Sequence, residues 1–356
     1  MLSEGVYMKS IKFLCLLVIS VIMLTACNIG VPEDKIIVYT NSGSEGRAEW
    51  LTDKAEDAGF DIQVVQMGGN TLANRLIAEK NNPVADVTYG MSQMDWQKVK
   101  SQDGLVPYTP KWIKETDDDT PFVDEDHYYN PLVEQRIVQI YNQDVFDEQS
   151  APHTFSDLWE KSKYKGKYAV PASLGGLTDR TLIMSVLAPY IDEDDPNAEL
   201  GVKPEGWEAV KQYIENGYIT PEGEDSTQNL VSKKVPISYQ FSSGLPGVED
   251  EFDFEAGLVK PKEGVPTTIE SIGIMNKGKD HDYSNTKAFI DWFGSAEVQE
   301  AWAKEFGTYP TNVNARDDIS PSMQNIIDQT HPQDIDYDTV NKYIEQWVEK
   351  IELEYY

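Results

Sequence analysis

The sequence predicts an α/β fold arranged as more than one domain. Strands and helices alternate in β-α-β-α-β order between residues 36 and 89, and the same grammar resumes after residue 137. About 330 residues follow a leader-like N-terminus, which exceeds a single typical domain. Ile36, Ile37, Val38 and Tyr39 form a β-branched strand, and residues 41–46 (NSGSEG) form a loop. Residues 47–58 have helical spacing and 61–66 form a second strand. Gly68 and Gly69 open a helix with Leu72, Ala73, Leu76 and Ile77 on one face, and residues 85–89 form a third strand.

The second unit starts with a strand at 137–141. Thr154 and Asp157 have capping-box character at a helix start. A strand at 168–170 leads through a Gly-rich turn (173–179) into a helix at 180–187. A helix at 206–216 and strands at 235–239 and 272–275 follow, with Pro236 at a strand edge. From Thr286, a helix places Ala288, Phe289, Trp292 and Phe293 together. Ser295 is expected to cap the next helix, which carries Val298, Ala301, Trp302 and Glu305. Residues 337–351 form a last amphipathic helix. The acidic stretch 114–130 lacks the ligand spacing and glycine of a calcium loop. It reads as a solvated surface, as do residues 192–195, and no metal site is expected.

The formal charge of −31 excludes nucleic acid as a partner. Lys9 and Lys12, an apolar run at 13–24 and the sequence Leu24-Thr25-Ala26-Cys27 read as a lipoprotein signal peptide over residues 1–26, with Cys27 as the lipid acceptor. That predicts a protein tethered by lipid to the extracytoplasmic face of the membrane, since an acidic surface gains nothing from anionic headgroups. No later apolar run approaches the length of a membrane span. Cys15 lies within the leader, so the mature chain has a single thiol and no internal disulfide.

Ligands of open α/β sheets bind beyond the carboxyl ends of the strands. Four loops there are rich in glycine and hydroxyls: Ser42, Gly43 and Ser44; Gly90 and Ser92; Ser173, Gly175, Gly176 and Thr178; and Ser242 and Ser243. Glycine lets the backbone approach, and a helix N-terminus supplies free N–H groups. Together they predict a cradle for phosphate, phosphonate or carboxylate that needs no Lys or Arg. Each loop taken alone reads equally as turns and caps. Asp179 and Glu45 read as holders of a ligand amine or hydroxyl, or as helix-start residues. Tyr309 reads as a ring against the ligand, or as packing beside Pro310. His127, His153, His281 and His331 lie in polar stretches without HExxH, GxSxG or phosphate-loop settings, so an enzyme such as a surface hydrolase is the disfavoured reading.

Several segments, in order, resemble extracellular solute-binding proteins of the group that includes ferric-iron, phosphonate, sugar-phosphate and thiamine receptors. They are AEKNNPVADVTYGMS (78–92), SDLWEKSKYKGKYAVP (156–171), KKVPISYQFSSG (233–244) and TKAFIDWFGSAEVQEAWAKEFGTYPT (286–311). The resemblance implies a type 2 periplasmic-binding-protein-like fold. It would have two lobes, 27–138 with 271–310 and 139–270 with 311–356, joined by crossover hinge strands near 138–141 and 271–275. It further implies a monomer, without cofactor, that captures a small molecule, an organic phosphate or phosphonate, for an ABC transporter permease. Ferric iron is the first alternative. Iron receptors of the group present a tyrosine pair where this chain has Tyr239 alone, and the loop after the first strand lacks their histidine. Thiamine or a polyamine is the second alternative.

Overall fold

The computed structural model describes residues 35–356; the leader and Cys27 lie outside the described residues. β1 (Ile36–Thr40) is buried throughout because its side chains alternate between two cores. Ile36 and Val38 join Leu51 and Ala55 of α1 (Arg47–Asp57), whereas Ile37 and Tyr39 join Leu72 and Leu76. β2 (Ile62–Gln66) and α2 (Gly69–Ala78) follow, then β3 (Val87–Gly90) and α3 (Gln93–Lys100). β1 pairs in parallel with both β2 and β3. β4 (Leu105–Val106) is short.

β5 (Tyr129–Asn142) is 14 residues long and buried from end to end. It begins well before the expected residue 137, because Asn130, Pro131, Glu134, Gln135 and Arg136 interrupt the apolar pattern by which a strand is recognised. The polar ones are tolerated inside because they have partners. Arg136 Nε donates to Glu134 Oε1 at 2.8 Å, and its Nη1 donates to the Thr330 carbonyl at 2.8 Å.

Beyond β5 come α4 (Asp157–Glu160), β6 (Ala169–Val170), α5 (Leu177–Leu187), α6 (Pro204–Asn216) and β7 (Tyr218–Ile219). Next are α7 (Ser226–Val231), β8 (Ile237–Phe241), α8 (Leu245–Phe252) and β9 (Ala256–Leu258). Thr154 Oγ1 accepts from Asp157 N at 3.2 Å, but the Asp157 carboxylate accepts from His153 N at 3.0 Å and not from Thr154 N. Only half of the expected capping box therefore forms, and the N-cap of α4 is Ser156, without a side-chain cap. α5 starts at Leu177 rather than 180. The chain then returns through β10 (Thr267–Met275), α9 (Ser284–Phe293), α10 (Ala296–Phe306) and β11 (Tyr309–Pro310), and ends in α11 (Pro321–Gln329) and α12 (Tyr337–Glu354). Ser295 precedes α10 but does not cap it: its hydroxyl donates backwards to the Trp292 carbonyl at 2.7 Å.

The main sheet runs β11-β5-β10-β3-β1-β2, with β10 antiparallel to both of its neighbours. β5 changes partners at one step. Arg136 is opposite Thr267 of β10, whereas Ile137 is opposite Phe241 of β8. The result is a two-lobed α/β fold joined by crossover strands. The second lobe has its own core, in which Leu158, Tyr168, Leu182 and Tyr213 meet Val340, Trp347 and Ile351 of α12. Between Glu270 and Ser271 the register of β10 against β5 shifts by one residue, leaving Leu132 of β5 without a partner in β10.

Candidate functional site

A cleft of about 870 Å3 lies where the loops of both lobes converge on β5 and β10. Asn41, Ser42, Ser44 and Arg47 line it from the first lobe, and Phe306 and Gly307 from the end of α10. Thr178, Gln240, Phe241 and Ser243 face them from the second lobe, and Gln135 and Glu270 come from the crossover strands.

Helices α1, α5 and α8 start at this cleft. Their N-cap residues are Gly46, Gly176 and Gly244, none with a side-chain cap. The first backbone N–H groups of a helix carry partial positive charge, the chemistry that holds an anion, and α5 offers them at Leu177 and Thr178. In α1 the N–H groups of Arg47 and Ala48 already donate to the Ser44 and Gly43 carbonyls at 3.2 and 3.0 Å, and in α8 Leu245 N donates to the Ser242 carbonyl while Pro246 has no N–H. Gly46 sits at φ +82, in the left-handed region that glycine adopts without cost. α3 differs, because Ser92 Oγ accepts from Asp95 N at 3.2 Å and donates to the Asp95 carboxylate at 3.0 Å.

Arg47, the first residue of α1, adds a full charge. Its guanidinium stacks on Phe306 at 5.0 Å and donates to Glu45 Oε2 at 2.7 Å, with longer contacts to the Ser44 carbonyl at 3.4 Å and the Phe306 carbonyl at 3.5 Å. Sequence reasoning missed this cation. A signal was present, since a cation at a helix start opposes the helix dipole and needs another reason to be there. Glu270 was missed as well. Its carboxylate is buried, accepts from Ser42 Oγ at 2.8 Å and Gln135 Nε2 at 3.5 Å, and is pushed up by burial against the opposing effects of Ser42 and the Arg47 charge.

Of the residues expected from sequence, Ser42, Ser44, Thr178 and Ser243 line the cleft together. Gly43 lies behind the first loop, packed on Thr40. Gly90, at φ +93, leaves room for Asn41, whose Oδ1 accepts from Met91 N at 2.7 Å. Ser173, Gly175 and Gly176 are exposed. The Ser242 hydroxyl is buried and engaged: it accepts from Arg136 N at 3.0 Å and donates to Gln135 Oε1 at 3.0 Å. Tyr239 donates to Asp179 Oδ1 at 2.8 Å. Burial raises both groups, and the neighbouring carboxylate raises the phenol further. Tyr309 pairs with Glu134 across β11 and β5, its ring under the Arg316 guanidinium at 4.3 Å.

The family model described as bacterial extracellular solute-binding protein matches residues 49–328. The chain belongs to that family. This solute-binding protein is 30% identical over 321 residues to a probable ABC transporter periplasmic-binding protein of Sinorhizobium fredii, covering 90% of this chain and 86% of the relative. A putative 2-aminoethylphosphonate-binding periplasmic protein of Salmonella typhimurium is 27% identical over 158 residues, 43% of each chain. Two solved structures share the fold. One is a periplasmic binding protein from Actinobacillus pleuropneumoniae with fructose-6-phosphate bound (TM-score 0.67, 20% identity, 90% of this chain and 99% of that one). The other is a ferric binding protein from Campylobacter jejuni (TM-score 0.70, 18% identity, 89% and 98%). Among the described residues, no helix of this solute-binding protein is long and apolar enough to cross a membrane.

Proposed function

We propose that this protein captures a small organic phosphate or phosphonate in the cleft between its lobes and delivers it to an ABC transporter permease. In this reading it acts as a monomer held at the extracytoplasmic face of the membrane by lipid on Cys27, and it releases its ligand unchanged. The observation that carries the ligand class is the meeting of Arg47 with the glycine-capped start of α5 across one cleft. Arg47 brings a planar fork that suits phosphate oxygens, and the hydroxyls of Ser44, Thr178 and Ser243 add donors, while the one hydroxyl proton of Ser42 goes to Glu270. The phosphonate and sugar-phosphate ligands named for its relatives agree with that chemistry.

Ferric iron fits less well. A ferric site needs ionised phenols, and Tyr239, the one tyrosine in the stretch that corresponds to iron receptors, is raised by burial and by Asp179 beside it. A thermal-shift screen with alkylphosphonates, sugar phosphates, ferric citrate, thiamine and polyamines tests the reading. A ligand at 100 times its Kd adds about 2.7 kcal/mol of stability. Stabilisation by a phosphate or phosphonate, recovered intact, is the expected result. Stabilisation by ferric citrate alone would return iron to first place.

A further inference from the structure

The cleft holds a second charge of opposite sign. Glu270 is 8% exposed, and its hydrogen-bond partners, Ser42 and Gln135, are neutral. Among the described residues no lysine, arginine or histidine forms an ion pair with it; the guanidinium of Arg47 acts on it only from a distance and is itself engaged with Glu45. A carboxylate buried without a direct counter-ion is costly unless something else brings the positive charge. The register against β5 shifts just after this residue, passing over Leu132, and Ser42 comes from the first lobe to meet Glu270. Gln135, its other partner, accepts in turn from Ser242 of the second lobe. Glu270 is therefore held at the floor of the cleft by bonds that reach both lobes, and it lines the same space as Arg47.

We propose that Glu270 is a specificity-determining residue that receives a positively charged nitrogen of the ligand, so that the protein selects a zwitterion, an amino-phosphonate or amino-phosphate, over a simple anion. This rests on the reading above for the anionic end, which Arg47 and the start of α5 hold; Glu270 adds the requirement at the other end. The hydrogen bond it accepts from Ser42 fixes the carboxylate in the cleft it shares with Arg47.

Calorimetry on the intact protein tests this with three probes: 2-aminoethylphosphonate, ethylphosphonate and putrescine. Wild-type protein is expected to bind the aminated phosphonate roughly 10- to 100-fold more tightly than ethylphosphonate, the range of one charge-assisted contact. Glu270→Gln keeps the shape and an acceptor for Ser42, and is expected to erase that preference while leaving ethylphosphonate within a few-fold. Equal binding of the two phosphonates by wild type overturns the proposal without need of any variant, and so does a preference that survives in a folded Glu270→Gln protein. Binding of putrescine but of neither phosphonate, lost in Glu270→Gln, would sustain the role of Glu270 and overturn the anion reading instead. Binding of none of the three overturns both.

Discussion

Replacing Arg47 by Met removes the charge from the cleft while keeping a hydrocarbon over Phe306. The Arg47 side chain is 9% exposed, so its charge acts in a partly dry site, whereas its partner Glu45 is 72% exposed and well screened. One charge-assisted contact to a phosphonate is worth about 1.5–3 kcal/mol. At about 1.4 kcal/mol per decade, Arg47→Met should weaken phosphonate binding roughly 10- to 100-fold. Arg47→Lys should fall between, because it keeps the charge and loses the planar fork. The stacking on Phe306 contributes only about 0.5–2 kcal/mol, so the fold should survive. Calorimetry gives the affinity and a thermal melt gives the stability. Unchanged binding in a folded Arg47→Met protein would refute the assignment of the anionic end.

Cys27→Ser should release the protein from the membrane fraction or block its processing; unchanged fractionation with lipid labelling would remove the anchor. A Cβ at Gly307, on the first lobe, would stand 3.2 Å from the Ser243 carbonyl and 3.3 Å from Pro246 Cγ on the second. Gly307→Asn keeps the left-handed helix end but fills that seam, so it should lower ligand affinity several-fold and enlarge the ligand-bound radius of gyration by small-angle scattering. Burial raises the Glu270 carboxyl above its usual range, while a bound cation favours its ionised form. The ratio of 2-aminoethylphosphonate to ethylphosphonate affinity should therefore fall about tenfold per pH unit below that raised pKa and level off above it, and it should be flat in Glu270→Gln. Tyr239→Phe should leave phosphonate binding within a few-fold, whereas loss of ferric binding in that variant alone would point to an iron site.

The first lobe was legible because β1, β2 and β3 are β-branched segments separated by loops with clear helix starts, and the unbroken apolar run Ile36–Tyr39 directly encodes burial on both faces. β5 was half hidden, since a strand whose polar side chains are paired inside the protein carries no alternation to read. α8 was missed because Pro246 and Gly247 resemble a turn, although proline is at home in the first turn of a helix. The site was legible in its loops and not in its charges. Glycines and hydroxyls announce themselves by local pattern. Arg47 reads as one more charged residue at a helix start, and Glu270 as a polar residue in a strand, until the sheet brings both to one cleft. Ser92 and Ser242 show the converse. They are hydroxyls in the expected places whose bonds are with Asp95 on one side and with Arg136 and Gln135 on the other.

The position of β10 has a consequence for how the chain acquires its shape. In the finished sheet β10 lies between β3 and β5, yet it is synthesised long after both. Until residues 267–275 emerge, β3 and β5 each present an edge with unpaired backbone groups, the kind of surface that recruits wrong partners. Most of the second lobe, all but its C-terminal helices, intervenes as a loop that must be closed before the first lobe is complete. Such non-local closure makes folding slow and leaves intermediates prone to aggregate. The half-built first lobe is therefore the stage at which a holding chaperone would matter most, and a substitution that weakens the pairing of β10 with β3 should lower yield more than it lowers the stability of the molecules that do mature.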